Sequence, residues 1–267
     1  MAPPDAPVPA LPLQDRLLRR RDRRVHERLT GGVTGLDELL AADRLVDLTQ
    51  PLGESTILWP GSHPFETETT VDHDAHGAYA RDLALPEHAG THIDAPAHFH
   101  RGGATADLIP LATLVRPAVR LDVRELVGDD ASFALSAEDI EDLEREDGLI
   151  RPDSAVLVDT GWDRYLDDPV RYSGGETTSF PGIGADAARL LVARGIVGIG
   201  IDTMGVDPGG SLRFAAHRIT MPAGLWHAEG LVGLERVPAR GAWVVVGALP
   251  IVGGSGAPAR IFAVIPP

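Results

Sequence analysis

The sequence predicts an α/β fold with a mixed sheet, and three observations carry that prediction. Six apolar runs have strand length and spacing, at 80–85, 118–123, 155–158, 197–201, 241–247 and 260–265. One helical pattern, GADAARLLVARG, ends at Gly195 and feeds directly into the glycine-spaced apolar run IVGIGID, as a helix leading into a buried strand does. Helix signals are few, while 30 glycines and 22 prolines point to many loops.

Taken in order, the elements begin with an arm. Residues 1–43 open on a proline- and alanine-rich leader, MAPPDAPVPALP, and hold seven arginines, Arg16 to Arg28, against seven acids. They carry none of the chain's net charge of -15. That change in composition predicts an appended N-terminal arm with two short helices, ahead of a body spanning 44–267. The body starts with LVDLTQPL at Leu45, which alternates like a strand and stops at a Pro51–Gly53 turn. TILWPGSHPF is extended and broken at Pro60–Gly61. SAEDIEDLERE predicts a helix with Ser136 as N-cap and Asp139 in the capping-box position.

Composition narrows the chemistry. The 267 residues include no cysteine, which removes disulfides, thiolate nucleophiles and iron–sulfur or zinc-ribbon sites. A transition metal must therefore be held by imidazole and carboxylate. All 24 basic residues are arginine, so Schiff-base lysines and a P-loop are excluded. The absence of lysine and asparagine together points to a GC-rich bacterial genome. The acidic balance argues against nucleic acid and anionic membranes as partners, and with no signal peptide or apolar span the chain is expected in the cytoplasm.

Seven of the ten histidines lie between His63 and His100, and His88, His92, His98 and His100 share one run with Asp94. Gly90, Thr91, Ile93 and Pro96 oppose a helix there. In an extended segment His92 and Asp94 point the same way, and a turn at Ala89–Gly90 brings His88 alongside. Two imidazoles and a carboxylate suit zinc, manganese or iron with a coordination position left for water. The plainer alternative is a histidine-rich surface loop.

This run resembles a known signature. His88 to Phe99 reads HAGTHIDAPAHF, similar to the HxGTHxDxPxHF motif of the cyclase-type metal-dependent hydrolases, which include kynurenine formamidases and isatin hydrolases. LVDLTQPL, LWPGSHPF, VLVDTGW, FPGIGADAARLLVARG, VGIGIDTMGVD, GLVGLERVP and GAPARIFAVI look like further blocks in family order, so the likeness runs from Leu45 to the C-terminus and leaves out the arm. It implies a single swivelling β/β/α-type domain with a mixed sheet core. It implies His88, His92 and Asp94 as ligands of one zinc or manganese ion, with His217 and Glu229 completing a second site in some members. His98 stands at the family's acid/base position. Implied too are metal-activated water cleaving a C–N amide bond (in a lactam, cyclic amide or N-formyl aryl amine), a small-molecule substrate and a homodimer.

Trp59, Phe65 and Phe99 are candidates for an aromatic wall around a flat substrate, against ordinary core packing. His100 and His227 depart from the family pattern and are read as ordinary polar residues. Leu249-Pro250 is followed by Ile251 where many relatives place a lysine, which sets the chain apart from the formamidase branch. Two other readings are weighed: a metal-dependent cyclase or dehydratase of a polyketide-like intermediate, and a non-catalytic metal-binding module. Cleavage assays separate the first, and the presence of His98 beside the metal triad argues against the second.

Overall fold

A computed structural model describes residues 42–266. The arm predicted for residues 1–43 lies almost wholly outside them. Twelve strands are present among the described residues: β1 Leu45–Asp47, β2 Glu66–Val71, β3 Ala80–Ala84, β4 His92–Asp94, β5 Val115–Asp122, β6 Ala134–Leu135, β7 Ala155–Asp159, β8 Gly182–Ile183, β9 Gly198–Ile201, β10 Trp226–Glu229, β11 Trp243–Ala248 and β12 Gly256–Val264. The α-helices are α1 His73–His76, α2 Arg124–Val127, α3 Ala137–Asp147, α4 Pro169–Ser173, α5 Ala185–Ala193 and α6 Ala215–Thr220. No helix among these residues is long and apolar enough to cross a membrane.

The mixed sheet closes on itself. Its order is β12-β11-β5-β7-β9-β10-β4, and β4 pairs back onto β12, so seven strands form a barrel with β1 added along the far half of β12. β5, β7, β9 and β10 run parallel, and the remaining ladders are antiparallel. Parallel neighbours need crossovers, and these hold the helices: α3 between β5 and β7, α5 between β7 and β9, α6 between β9 and β10. α3 packs on α5, and α5 on α6.

Side-chain parity divides each strand between two cores. Ile93, Ala118, Leu157, Trp226, Ala228, Val244, Val246, Ala257 and Ile261 fill the barrel. Val119, Leu121, Val156, Val158, Ile199 and Ile201 face outward against Ile140, Ala187, Ala188 and Leu191 of the helices. Much of the barrel lining is alanine and glycine. At Gly198 a Cβ would lie 2.2 Å from the Trp226 ring, so the indole rests directly on the backbone of β9.

The strands and helices predicted for the body are present with shifted ends, β1 stopping at Asp47 rather than at the Pro51–Gly53 turn, and the two helices predicted for the arm lie outside the described residues. The capping box on α3 is complete: Ser136 N–H donates to Asp139 Oδ2 at 2.9 Å, and Asp139 N–H donates to Ser136 Oγ at 3.2 Å. β12 begins at Gly256, four residues before the expected start, because pairing with β4 holds Gly256-Ala257-Pro258 extended where local propensity does not. β2 was not expected; with β3 it forms a separate two-stranded ribbon, and every residue of β3 is exposed.

Candidate functional site

The outward faces of β4 and β10 make the floor of the site. These strands pair antiparallel with His227 opposite Asp94 and Glu229 opposite His92. Cross-strand partners lie about 4.5–5.5 Å apart, so register alone gathers two imidazoles and two carboxylates into one patch. Ile93 and Ala228, between them in sequence, point the other way into the barrel. The turn before β4 uses Gly90 at φ 59°, a left-handed conformation that suits glycine, and it returns His88 over the patch. α6 supplies His217 from above.

The resulting distances are short. His88 Nδ1 lies 2.6 Å from Asp94 Oδ1, and His92 Nε2 lies 3.2 Å from the same oxygen and 3.4 Å from Glu229 Oε2. His217 Nε2 is 3.1 Å from Asp94 Oδ2 and 3.5 Å from Glu229 Oε1. Asp94, His92, His217 and Glu229 are all buried.

The groups behind these histidines settle which nitrogen faces the cluster. Gly90 O can only accept, so His92 Nδ1, 3.0 Å away, carries a hydrogen and Nε2 is the nitrogen that takes either a second proton or a cation. His217 Nδ1 donates to Asp207 Oδ2 at 2.6 Å, which leaves Nε2 toward Asp94. Asp207 also accepts from the backbone N–H of Ala216 and His217, so the start of α6 and the imidazole are fixed by one carboxylate. The Ser255 hydroxyl donates to Glu87 Oε2 at 2.7 Å and therefore accepts from His88 Nε2 at 2.9 Å, leaving His88 Nδ1 toward Asp94. With one hydrogen on each ring, three lone pairs face two carboxylates, each imidazole oriented by an acceptor behind it, the arrangement that metal-ligating histidines require.

A positive charge must sit among them, either protons or a cation. Without a metal the protons win. Burial disfavours charge on His92, but hydrogen bonds to Asp94 and Glu229 outweigh it and push its pKa up to about 10. His217 likewise reaches about 10, burial being outweighed by Asp207 and Asp94. Burial alone would raise Asp94; contacts with His217, His88 and His92 hold it well below the usual carboxylate range. Two donor groups satisfy the geometry of a cation site: His88, His92 and Asp94, and then Asp94, His217, His227 and Glu229, with donor atoms within 4.8 Å of one another in each. Asp94 belongs to both. A hard carboxylate shared between imidazole sets fits a divalent transition ion.

Above the floor lies a cavity of about 350 Å³. His88, His92, His98, His217 and Glu229 reach it, with Trp59 and Phe99 in its walls. His98 projects from the short 3-10 turn Pro96–His98, its ring 4.2 Å from His88 and 5.9 Å from His217. Partial burial lowers the His98 pKa more than Asp94 raises it, and neighbouring imidazoles lower it further, so it is neutral at pH 7. Of the three expected wall residues, Trp59 and Phe99 line the cavity; Phe65 is buried and does not.

Among the residues not expected at the site are two in the walls and one in the floor. Phe214 lies 5.3 Å from Phe99 and 6.2 Å from Trp59, joining them into one aromatic surface. Its φ of 48° is uncommon for a bulky side chain, and the chain adopts it where α6 begins, three residues before His217. Tyr172 closes another side, its hydroxyl donating to the Asp202 carbonyl. His227, read from sequence as an ordinary polar residue, is instead completely buried within the carboxylate cluster. Its period-two spacing from Glu229 was the signal available. His100 lines a different pocket, beside Met221 and Trp226.

The chain was also compared with known proteins, and the likeness is to one family. A family model described as putative cyclase matches residues 46–208. The chain belongs to the cyclase family. Among curated cyclase-family relatives, the isatin hydrolase of Roseibium aggregatum is 31% identical over 194 residues, covering 69% of this chain and 74% of that protein. The kynurenine formamidase of Salinibacter ruber is 29% identical over 218 residues, 81% of this chain and 95% of the relative. Isatin hydrolase A from Ralstonia solanacearum superposes with a TM-score of 0.81 at 30% identity, covering 87% of this chain and 96% of that one. An isatin hydrolase bound to the product analogue thioisatinate gives 0.82 at 28% identity, covering 88% and 98%.

Proposed function

We propose that this cyclase-family protein is a metal-dependent hydrolase of a non-peptide C–N amide bond in a flat aryl substrate, a lactam or an N-formyl aryl amine. The observation that carries this is the convergence of His88 Nδ1, His92 Nε2, His217 Nε2, Asp94 and Glu229 under an aromatic cavity into which His98 projects. When bound there, a divalent cation lowers the pKa of water toward neutrality and polarises a carbonyl oxygen. Zinc and manganese both suit the donor set.

The chain's own residues do the rest. Trp59, Phe99 and Phe214 hold a flat ring and keep bulk water from it. His98, neutral at pH 7, takes the proton of the attacking water. As the new C–O bond forms and the C–N bond breaks, His98 returns that proton to the departing nitrogen. His88, His92 and His217 cannot serve this role, because each has its second nitrogen committed to Ser255, Gly90 or Asp207.

The relatives named isatin hydrolase and kynurenine formamidase supply the test substrates. Protein stripped with a chelator and reloaded with zinc or manganese is expected to hydrolyse isatin or N-formylkynurenine, followed by ultraviolet absorbance, and to lose that activity on stripping. Metal-loaded protein that cleaves no amide or lactam in a wider panel would sink the hydrolase reading in favour of a cyclase or dehydratase. A small-molecule substrate, a cytoplasmic location and a homodimeric assembly belong to the same proposal; light scattering on the purified chain checks the last.

A further inference from the structure

His227 has no part in the reading above, yet it is among the most enclosed polar side chains in the described structure, with no exposed surface. Its tautomer follows from its neighbour. Thr220 Oγ1 has one hydrogen, and it donates that hydrogen to the Ala216 carbonyl one helical turn back, at 2.7 Å. Thr220 Oγ1 can therefore only accept from His227 Nε2, also at 2.7 Å. The hydrogen sits on Nε2, and Nδ1 is left with a lone pair and no hydrogen-bond partner.

A buried nitrogen without a protein partner is costly, and a leucine of similar volume would avoid that cost. The surroundings point to what partners it. A ring nitrogen of His227 lies within 4.8 Å of the donor atoms of Asp94, His217 and Glu229, and its ring is 4.7 Å from that of His217. Register places it directly opposite Asp94. Its orientation by an acceptor behind Nε2 matches the way Ser255, Gly90 and Asp207 orient His88, His92 and His217.

We propose that His227 Nδ1 is a protein ligand of a second divalent cation, held together with His217 Nε2, Asp94 and Glu229. The second site then has two imidazoles and two carboxylates, and Asp94 joins it to the site made by His88 and His92. This rests on the metal-dependent reading of the same site. It makes the chain a two-ion protein whose second site is richer in nitrogen than His217 and Glu229 alone provide. Such a set favours zinc over harder ions such as magnesium or calcium.

Metal counting tests this without reference to turnover. Stripped full-length protein is reloaded with zinc, dialysed and analysed for bound metal, then titrated with cobalt while its visible absorption is recorded. Wild type is expected to hold two ions. His227→Leu is expected to retain one, losing the second-site cobalt bands and weakening that site at least tenfold. Thr220→Val keeps the imidazole but removes its orienting acceptor; it is expected to weaken only the second site, by about 10- to 100-fold. Near-ultraviolet circular dichroism checks folding, and if His227→Leu does not fold, Thr220→Val decides. Two ions at wild-type affinity in both variants overturn the role of His227, as does a wild type that holds one ion indifferent to either change. A wild type that holds none overturns the metal-dependent reading itself.

Discussion

At the scale of single residues, the candidate site fixes tautomers. Each of His88, His92 and His217 has one nitrogen held by an acceptor, so the other has nowhere to turn but inward. His98 has no such partner committing its ring and stands in the cavity wall. His98→Ala is therefore expected to leave metal content unchanged while kcat falls by about 10²- to 10⁴-fold, measured by elemental analysis and turnover on one preparation. Unchanged turnover would remove its acid/base role. Asp94 touches His88, His92 and His217 at once, so Asp94→Ala is expected to strip the metal, and full retention would count against the ligand set.

At the scale of elements, antiparallel register does what no single residue can. Pairing of β4 with β10 sets Glu229 against His92, residues far apart in sequence. Gly230 keeps that pairing close to the preceding turn: its φ is 65°, and a Cβ there would lie 2.6 Å from the Gly90 carbonyl that orients His92. Gly230→Ala is thus expected to destabilise the fold by more than about 1 kcal/mol and to weaken metal binding, both read by calorimetry with and without metal. The capping box of α3 is a contrasting case, since none of its residues lines the cavity. Ser136→Ala is expected to cost about 1 kcal/mol in urea unfolding with metal content unaltered. Strands, α3 and α5 were legible because period and caps are local. β2, the early start of β12 and α6 were not, because pairing and the Asp207 carboxylate hold them.

At the scale of the whole molecule, the buried cluster makes stability depend on pH and metal together. His92 and His217 are raised to about 10 without metal, so the stability they contribute is complete below the ordinary histidine pKa and is lost as pH rises through about 10. Asp94 is lowered, so its contribution is present above its ordinary value and is lost in acid. A cation must displace the histidine protons. The rise in Tm on adding zinc at fixed free concentration is therefore expected to grow from pH 6 to pH 8, seen by scanning calorimetry. A shift independent of pH would contradict displacement. Every proposed site residue lies between Trp59 and Glu229. Removal of residues 1–43 is accordingly expected to leave metal content and turnover intact.

The sequence by itself determined the chemistry available. With no cysteine, any metal site had to be imidazole and carboxylate, and the run from His88 to Phe99 offered half of a candidate one. Trp59 and Phe99, named as candidate walls, line the cavity, and so does His98, which only the resemblance put at an acid/base position. His217 and Glu229 were legible only through resemblance, since nothing local marks a histidine on a six-residue helix or an acid ending a four-residue strand. Tertiary structure decided the rest: that the sheet closes into a barrel, that Phe65 lies outside the cavity, and that Phe214 and His227 belong to the site. The reason is physical. Composition and period act over a few residues, whereas a cluster of buried charges depends on which strand edges meet and in what register.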